Sequence, residues 1–303
     1  MEIMKSAMSN LPSSMSNLPE DFHFSQGSLQ DYVDCQRRFQ LRYLLKLAWP
    51  AIEAEPALEN ERRMQMGAVF HQLIHQHLLG LPEERLSRIA NGEHLELWWG
   101  NYLQYAADLA PVLGLADSHH ASDLQLHPEV TLSAPLAGYQ LVAKYDLIAI
   151  LPGGRAYIID WKTSRKPPQR QWLDHRLQTH VYPYLITTAG GHLNAGKQFL
   201  PGHIDMIYWF AEHPEEIQRF PYSPERYQED GRTLNSLVAE IESLGETGFA
   251  LTSDHKRCRY CTYRSYCDRG VQAGSMEEME TDLDDMYDVE ITIDFEHIAE
   301  IEF

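Results

Sequence analysis

The sequence predicts an α/β fold with a central mixed sheet flanked by helices. Strand-like and helix-like segments both occur along the middle of the 303-residue chain, as expected for a domain in which helices pack on a sheet. Four segments rich in apolar and β-branched residues predict strands: 126–132, 140–151, 155–161 and 204–210. Two further segments, 66–79 and 171–186, have the apolar spacing of helices.

The second and third predicted strands are joined by a turn, and together they carry a candidate metal site. Pro152-Gly153-Gly154 predicts the turn of a β-hairpin. Asp146 lies on the first strand of this hairpin, and the second ends in Asp160-Trp161-Lys162. Alternate side chains on a strand point the same way, so Asp160 and Lys162 share a face. Carboxylates on adjacent strands suit Mg²⁺ or Mn²⁺, and a nearby lysine can stabilise charge on a phosphate. Taken one at a time, these residues have an ordinary surface interpretation.

Length and hydropathy predict a soluble, cytoplasmic protein with no membrane partner. With 44% hydrophobic residues the chain can bury a core, and no apolar run reaches the ~18 residues that a membrane span requires. Two similar seven-residue units, 6–12 and 13–19, are rich in Ser, Asn and Pro. Residues 1–23 are therefore expected to form a disordered leader.

The net charge of −19 argues at first against a nucleic-acid partner. However, residues 276–303 carry 12 acidic residues and neither Lys nor Arg, which leaves −7 for the rest of the chain. Positive charge gathers in three stretches, at 37–46, 155–176 and 256–269, each beside a candidate chemical motif. Solvated surface is the ordinary interpretation of any one of these stretches, but their placement favours DNA binding.

The four cysteines form the second candidate site. Three of them, Cys258, Cys261 and Cys267, have C-x2-C-x5-C spacing, and Cys35 lies 223 positions before Cys258. In an intracellular chain such a group more often binds a metal than forms disulfides. Four thiolates suit either zinc or an iron–sulfur cluster, and free buried cysteines are a further alternative.

Helical segments on either side of the strands carry three more candidates. His71 is followed by His75 at helical spacing, but Gln72 replaces the glutamate that a zinc-protease helix requires. A buried core histidine is the ordinary interpretation of His71. Gln178 and Tyr182, four residues apart, lie on one face of the later predicted helix.

These residues in this order resemble the RecB-like PD-(D/E)XK nucleases with an iron–sulfur cluster. That group includes the AddB nuclease domain and the CRISPR-associated exonucleases. The shared order is Cys, Gly-x-x-x-His, Glu, Asp, Asp-x-Lys, Gln-x-x-x-Tyr and C-x2-C-x5-C. Residues 28–43 resemble the opening helix of the group, and the resemblance spans roughly 24–269. One departure is Ala143, which stands where the group often has glycine.

The resemblance implies a role for each matching residue. His71, Asp146, Asp160 and the backbone carbonyl of Trp161 would bind Mg²⁺ or Mn²⁺, and Glu129 would assist them. Lys162 would position the attacking water, while Gln178 and Tyr182 would orient the DNA strand and steady the lysine. The remaining implied roles belong to the ligands of a [4Fe-4S] cluster: Cys35, Cys258, Cys261 and Cys267.

The resemblance also implies an architecture and a function. The fold would be restriction-endonuclease-like over residues 24–270, with a helical insertion at about 81–115, a cluster segment at 254–270 and an acidic tail at 271–303. The protein would be a metal-dependent exonuclease on single-stranded DNA, working with a helicase or with CRISPR adaptation proteins. A catalytically weak or inactive DNA-binding subunit, holding an iron–sulfur cluster or zinc, is the alternative. The sequence does not give digestion polarity, pathway or oligomeric state.

Overall fold

The computed structural model describes most of the chain between residues 18 and 270. The described ranges are 18–19, 21–47, 57–115, 124–245 and 248–270, with only the backbone described at 57–60 and 93. Most of the expected leader and all of the expected acidic tail lie outside these residues.

Six strands of the described chain form one mixed sheet. They are β1 (His23–Ser25), β2 (Gln125–Leu136), β3 (Tyr139–Ile150), β4 (Ala156–Lys162), β5 (Ile204–Phe210) and β6 (Gln218–Pro221). Their order is β1-β3-β4-β5-β6, with β2 paired to β3. All seven residues of β4 and all seven of β5 are buried, because parallel strands at the centre of a sheet are covered on both faces. The predicted mixed sheet is confirmed, as is the β3–β4 hairpin.

The two edges of β3 are occupied differently, and this positions the candidate site. Antiparallel β2 pairs with β3 along nearly its whole length, from Tyr139 to Ile150. The other edge is shared: β1 pairs with residues 140–142, and β4 pairs with residues 147–150. Asp146 therefore lies where β4 leaves β3 and continues only with β5. This divergence of two strands is called the fork below.

Helices cover both faces of the sheet. The helices of the described chain are α1 (Gln26–Asp34), α2 (Gln36–Phe39), α3 (Ala57–Leu78), α4 (Glu83–Leu86), α5 (Glu93–Tyr105), α6 (Leu109–Leu113), α7 (Arg170–His175), α8 (Leu177–Ala189), α9 (Pro224–Ser243) and α10 (His255–Cys258). A π-helical turn, Gln40–Leu44, follows α2, and a 3-10 turn, Arg264–Cys267, follows α10. Residues 81–115 are mainly helical, as α4, α5 and α6.

Two apolar cores result, one on each face. Helices α1, α8 and α9 pack on the first face around residues such as Leu29, Val181 and Val238. Helices α3, α5 and α6 pack on the second face around Phe70, Trp98 and other large side chains. Each face of the sheet thus meets its own helical layer, which is the three-layer form of an α/β domain.

Two helical predictions need correction. The single helix predicted over 171–186 is two helices, α7 and α8, separated by Arg176 in an extended conformation. The Leu177 N–H at this break donates to Gln30 Oε1 at 2.9 Å. The opening helix expected over 28–43 is interrupted at Cys35, which has φ −164° and ψ 104°. The break at Arg176 is held by a partner on α1 that is distant in sequence, so local spacing did not predict it.

Candidate active site

Asp146 lies at the fork and accepts a hydrogen bond from the backbone of β4. Trp161 N donates to Asp146 Oδ2 at 2.9 Å, although β3 and β4 no longer pair at this level. The regular alternation of β3 is also interrupted: Tyr145 packs in the first core, but Leu147 packs in the second. Glu129, opposite Asp146 on β2, has φ +55°, a conformation that costs a non-glycine residue free energy. Local distortion of a strand pair re-aims a side chain, and here it turns Asp146 to the gap between the strands.

The end of β4 brings Asp160 and Lys162 together with Gln178 of α8. Lys162 Nζ donates to Gln178 Oε1 at 3.1 Å, and Gln178 Nε2 donates to Asp160 Oδ1 at 2.6 Å. Lys162 Nζ also lies 3.0 Å from Asp160 Oδ2 as an ion pair. All three side chains are buried. The two residues of the Asp-x-Lys motif thus share a face, as the strand period predicts.

The two aspartates have different electrostatic surroundings. Burial alone would raise the pKa of Asp146, but the neighbouring His71 ring and the Trp161 N–H outweigh burial and hold this pKa below its usual value. Burial raises the pKa of Asp160 to about 7, against the attraction of Lys162 and with the help of the Asp146 charge. A further cation beside the two carboxylates would therefore favour the ionised form of Asp160.

His71 reaches the fork from α3, which packs on the face of the sheet opposite to α8. Its Nδ1 lies 3.2 Å from Asp146 Oδ1. The preceding residue, Phe70, is completely buried and contacts Trp98 edge-on, so packing of α3 in the second core aims His71 at Asp146. The structure thus brings His71, Asp146, Trp161, Asp160, Lys162 and Gln178 to one place.

Glu129 and Tyr182 make other contacts. Glu129 forms an ion pair with Lys144, two residues before Asp146 on β3. The Tyr182 hydroxyl donates to the Lys144 carbonyl at 2.8 Å, and Tyr182 is buried. Its ring also packs on Tyr145, with ring centroids 4.6 Å apart. Both residues therefore brace the segment of β3 that leads into Asp146.

The donor chemistry at the fork fits a hard divalent cation. Asp146 and Asp160 offer carboxylates near the fork and His71 offers an imidazole, and carboxylate oxygens are the preferred ligands of Mg²⁺ and Mn²⁺. Asp160 Oδ2 is buried and lies 3.0 Å from Lys162 Nζ, so one cation of the protein already neighbours this oxygen. Among the described residues, no three His, Cys, Asp or Glu side chains stand close enough together to hold a metal ion.

The four cysteines all lie in the described part of the chain, where no three of them stand close enough together to hold a metal ion. None of the four forms a disulfide, and all are partly buried. Burial raises the pKa of Cys261 to about 11, and the neighbouring Cys35 contributes to that rise. Burial and then Cys35 likewise raise the pKa of Cys267, and Cys35 contributes at Cys258. Cys35 is thus an electrostatic neighbour of the other three, and the four thiols fit a thiolate-binding metal centre in donor type.

The segment 248–270, which carries three of the cysteines, makes several contacts with residues 37–47. Arg37 N donates to the Ala250 carbonyl at 3.0 Å, and Tyr263 OH donates to the Leu47 carbonyl at 3.0 Å. The Phe39 and Phe249 rings stack with centroids 6.0 Å apart. The first and last described segments of the domain therefore pack together.

An arginine group around Asp34 was not found from the sequence. Asp34 forms ion pairs with Arg38 at 3.2 Å, Arg176 at 3.4 Å and Arg257. These arginines come from α2, the α7–α8 break and α10. Burial raises the pKa of Asp34, but the three guanidinium groups together outweigh burial and hold it below its usual value. No sequence pattern marks Asp34, because two of its partners, Arg176 and Arg257, are far away along the chain.

Comparison with known proteins places the chain in a class. Residues 23–268 match the family model described as the PD-(D/E)XK nuclease superfamily. Because this match covers most of the chain, the protein belongs to that superfamily. A comparison with curated protein sequences found no match.

Two solved structures resemble the chain. One is from Eubacterium rectale and is described as a "putative exonuclease"; it is 11% identical, with 72% of this chain and 79% of that chain covered and a TM-score of 0.44. The other is the protein SSO0001, 17% identical, with 69% of this chain and 98% of that chain covered and a TM-score of 0.29. None of the described helices is long and apolar enough to cross a bilayer.

Proposed function

We propose that this nuclease-superfamily protein is a Mg²⁺- or Mn²⁺-dependent deoxyribonuclease that degrades single-stranded DNA from an end. The observation that carries the proposal is the convergence of His71, Asp146, Asp160, Lys162 and Gln178 at the fork. Superfamily membership supplies the reaction class, hydrolysis of a phosphodiester bond.

The cation would be held by His71, Asp146 and Asp160, with the Trp161 carbonyl and Glu129 as further candidate ligands. When bound, a divalent ion polarises phosphoryl oxygens and lowers the pKa of water. Lys162, held by Gln178 at 3.1 Å, would orient the attacking water and stabilise the negative charge that develops on the phosphate. Gln178 would also keep the Asp160 carboxylate in place, since it donates to Asp160 Oδ1. Tyr182 would act on the DNA strand through the β3 segment that its hydroxyl braces.

The four cysteines, we propose, hold a [4Fe-4S] cluster with a structural role. Cys35 stands near the other three, and the Arg257–Asp34 ion pair attaches the cysteine segment to α1. Basic residues of both segments, among them Arg37 and Arg259, would then lie along the path of the DNA strand. A helicase or CRISPR adaptation protein as partner, and a cytoplasmic location, remain part of the proposal.

The testing experiment uses the full chain, purified without oxygen, on end-labelled linear and on circular single-stranded DNA. With Mg²⁺ or Mn²⁺ we expect linear strands to be degraded and circles to persist, and EDTA should stop the reaction. Cleavage of circles would replace the exonuclease assignment with an endonuclease. A well-folded protein that cleaves no DNA under any metal condition would overturn the proposal in favour of an inactive DNA-binding subunit.

A further inference from the structure

Arg63, on the first half of α3, is buried at the end of β4, although no sequence motif marks it. Its Nη2 donates to the Thr163 carbonyl at 2.6 Å and to Glu212 Oε1 at 2.6 Å. Thr163 directly follows Lys162, and Glu212 follows the end of β5 by two residues. One guanidinium nitrogen therefore joins helix α3 to the ends of the two central strands.

The helical layer on the second face fixes this arginine. Trp98 of α5 donates from Nε1 to the same Glu212 oxygen at 3.1 Å, and the Arg63 guanidinium lies over the Trp98 ring at 5.1 Å. Asn101, one turn later on α5, donates to the Ala211 carbonyl at 2.7 Å. The Ala211 N–H in turn donates to the Lys162 carbonyl at 2.8 Å. The carbonyls of residues 162 and 163 are thus both held by groups that depend on α3 and α5.

The same helix also carries His71, two turns further on. At about 1.5 Å per residue, Arg63 and His71 lie about 12 Å apart along α3. Arg63 attaches the helix to β4, and His71 attaches it to Asp146 of β3. Helix α3 therefore crosses the fork and is fixed to each of its two strands.

Arg63 is not fully satisfied by these contacts. It is 5% exposed, and its Nη1 has no hydrogen-bond partner within the described chain. A buried donor in this state lowers stability, and departures of this kind are expected where position matters more than stability.

We propose that Arg63 is a positioning residue, which sets the separation between His71 on α3 and the Asp160–Lys162 pair on β4, with Glu212 and Trp98 fixing Arg63 in turn. The inference rests on the proposed nuclease function. The inference also gives a role to the helices at 81–115, because Trp98 of α5 contacts both Glu212 and Arg63 and so holds Arg63 in place.

The experiment compares Arg63→Gln, Arg63→Lys and the wild-type full chain. In Arg63→Gln we expect Mn²⁺ affinity without DNA to fall by ~10-fold, as for residues that orient metal ligands. The kcat on single-stranded DNA should fall by ~10²-fold, the effect of a small displacement of catalytic groups, while KM changes by less than about twofold. Both contacts come from one nitrogen, so the lysine variant should recover part of the kcat and of the Mn²⁺ affinity.

Arg226→Gln is the matched control, because Arg226 binds Asp174 at 3.0 Å between α9 and α7, away from the fork. It should leave kcat and Mn²⁺ affinity unchanged, whatever it does to the melting temperature. If Arg63→Gln does not fold, Trp98→Phe, which removes the Nε1 donor and keeps an aromatic ring, carries the test with the same readouts and directions.

The outcomes separate the inference from the proposed function. Folded Arg63 or Trp98 variants with wild-type kcat and Mn²⁺ affinity would overturn the inference and leave the nuclease function standing. A wild type that binds Mn²⁺ but cleaves no DNA would overturn the function, and the Mn²⁺ affinities would then decide the inference. A wild type that binds neither Mn²⁺ nor Mg²⁺ and cleaves no DNA with either ion would overturn both.

Discussion

Gln178 contacts both the acidic and the basic partner of the site. It accepts from Lys162 and donates to Asp160, so a methionine of similar size would leave both groups without that partner. We expect Gln178→Met to lower kcat by ~10-fold or more, since removal of one preorganised group commonly costs this much or more. Thr187→Val on the same helix removes a hydroxyl that donates to the Pro183 carbonyl and should leave kcat unchanged. Equal kcat for the two variants would exclude a role for Gln178.

His71 is expected to act on metal binding. Its Nδ1 lies 3.2 Å from Asp146 Oδ1, so His71→Ala removes an imidazole ligand and a partner of the Asp146 carboxylate together. Mn²⁺ affinity, measured by calorimetry without DNA, should fall by ~10-fold or more. His77→Gln is the control, because His77 is on the same helix but its Nδ1 lies 3.0 Å from Tyr102 OH, away from the fork. Loss of affinity in His77→Gln but not in His71→Ala would reject the ligand assignment.

Some residues at the fork could be predicted from the sequence alone, and others could not. Asp146, Asp160 and Lys162 were predictable because strand periodicity and a Pro-Gly-Gly turn place them on adjacent strands. The distortion at Glu129, with φ +55°, and its ion pair with Lys144 carry no local signal. Arg63 was missed for a similar reason: its partners at 163 and 212 are about 100 and 150 residues away.

At the level of elements, strands were predicted more closely than helices. Residues 204–210 form β5 over the predicted range, because a fully buried strand is a continuous apolar run between turn residues. The break at Arg176 was missed, because it is stabilised by Asp34 and by Gln30, which lie on α1. A helix boundary set by distant partners is invisible to helical periodicity.

The arginine group around Asp34 joins three elements, and its contribution depends on pH. Asp34→Asn leaves three guanidinium groups without their shared carboxylate, so we expect the free energy of unfolding at neutral pH to fall by about 3 kcal/mol. The pKa of Asp34 is lowered in the folded state, below an unfolded value of about 3.9. Its stabilisation is therefore full above the unfolded pKa and is lost as the pH falls through the folded pKa.

Urea denaturation of wild type and Asp34→Asn across the acid range checks this dependence. The difference in unfolding free energy should shrink towards low pH. Asp174→Asn breaks the more exposed pair with Arg226 and should cost less than about 1 kcal/mol. A difference for Asp34→Asn that stays constant with pH would show that the carboxylate charge is not what stabilises this group.

For the whole molecule, the proposed cluster joins the two ends of the domain. Ligation of Cys35 with Cys258, Cys261 and Cys267 would close a loop whose closure costs about 5 kcal/mol in the unfolded chain. Cys35→Ala should therefore bleach the cluster absorbance, lower the melting temperature and weaken DNA binding. Four iron and four sulfide per chain are expected in the wild type after anaerobic purification. One zinc and no sulfide per chain would show that the cofactor is zinc, still bound by cysteines from both ends of the domain. An unchanged melting temperature in Cys35→Ala would show that no cofactor links the two ends.

The acidic residues 277–302 should act on the whole molecule through charge. They hold all 12 negative charges that follow residue 275, and we expect them to compete with DNA for the basic segments. Truncation after Ser275 should tighten DNA binding, most strongly at low salt, where charges are least screened. An affinity that does not change with truncation at any salt concentration would leave the tail a role in solubility alone.

The central claim is that Asp160 and Lys162 carry out metal-dependent hydrolysis of DNA at the fork. The most direct measurement is the single-turnover rate of cleavage of linear single-stranded DNA with Mn²⁺, for wild type, Asp160→Asn, Lys162→Met and Asp205→Asn. Asp205 is also a buried carboxylate, but it pairs with Arg155 at the other end of the central strands. We predict that the first two variants remain folded and lose ~10²–10³-fold in rate, while Asp205→Asn keeps the wild-type rate. Folded Asp160→Asn and Lys162→Met proteins that cleave at the wild-type rate would contradict the account.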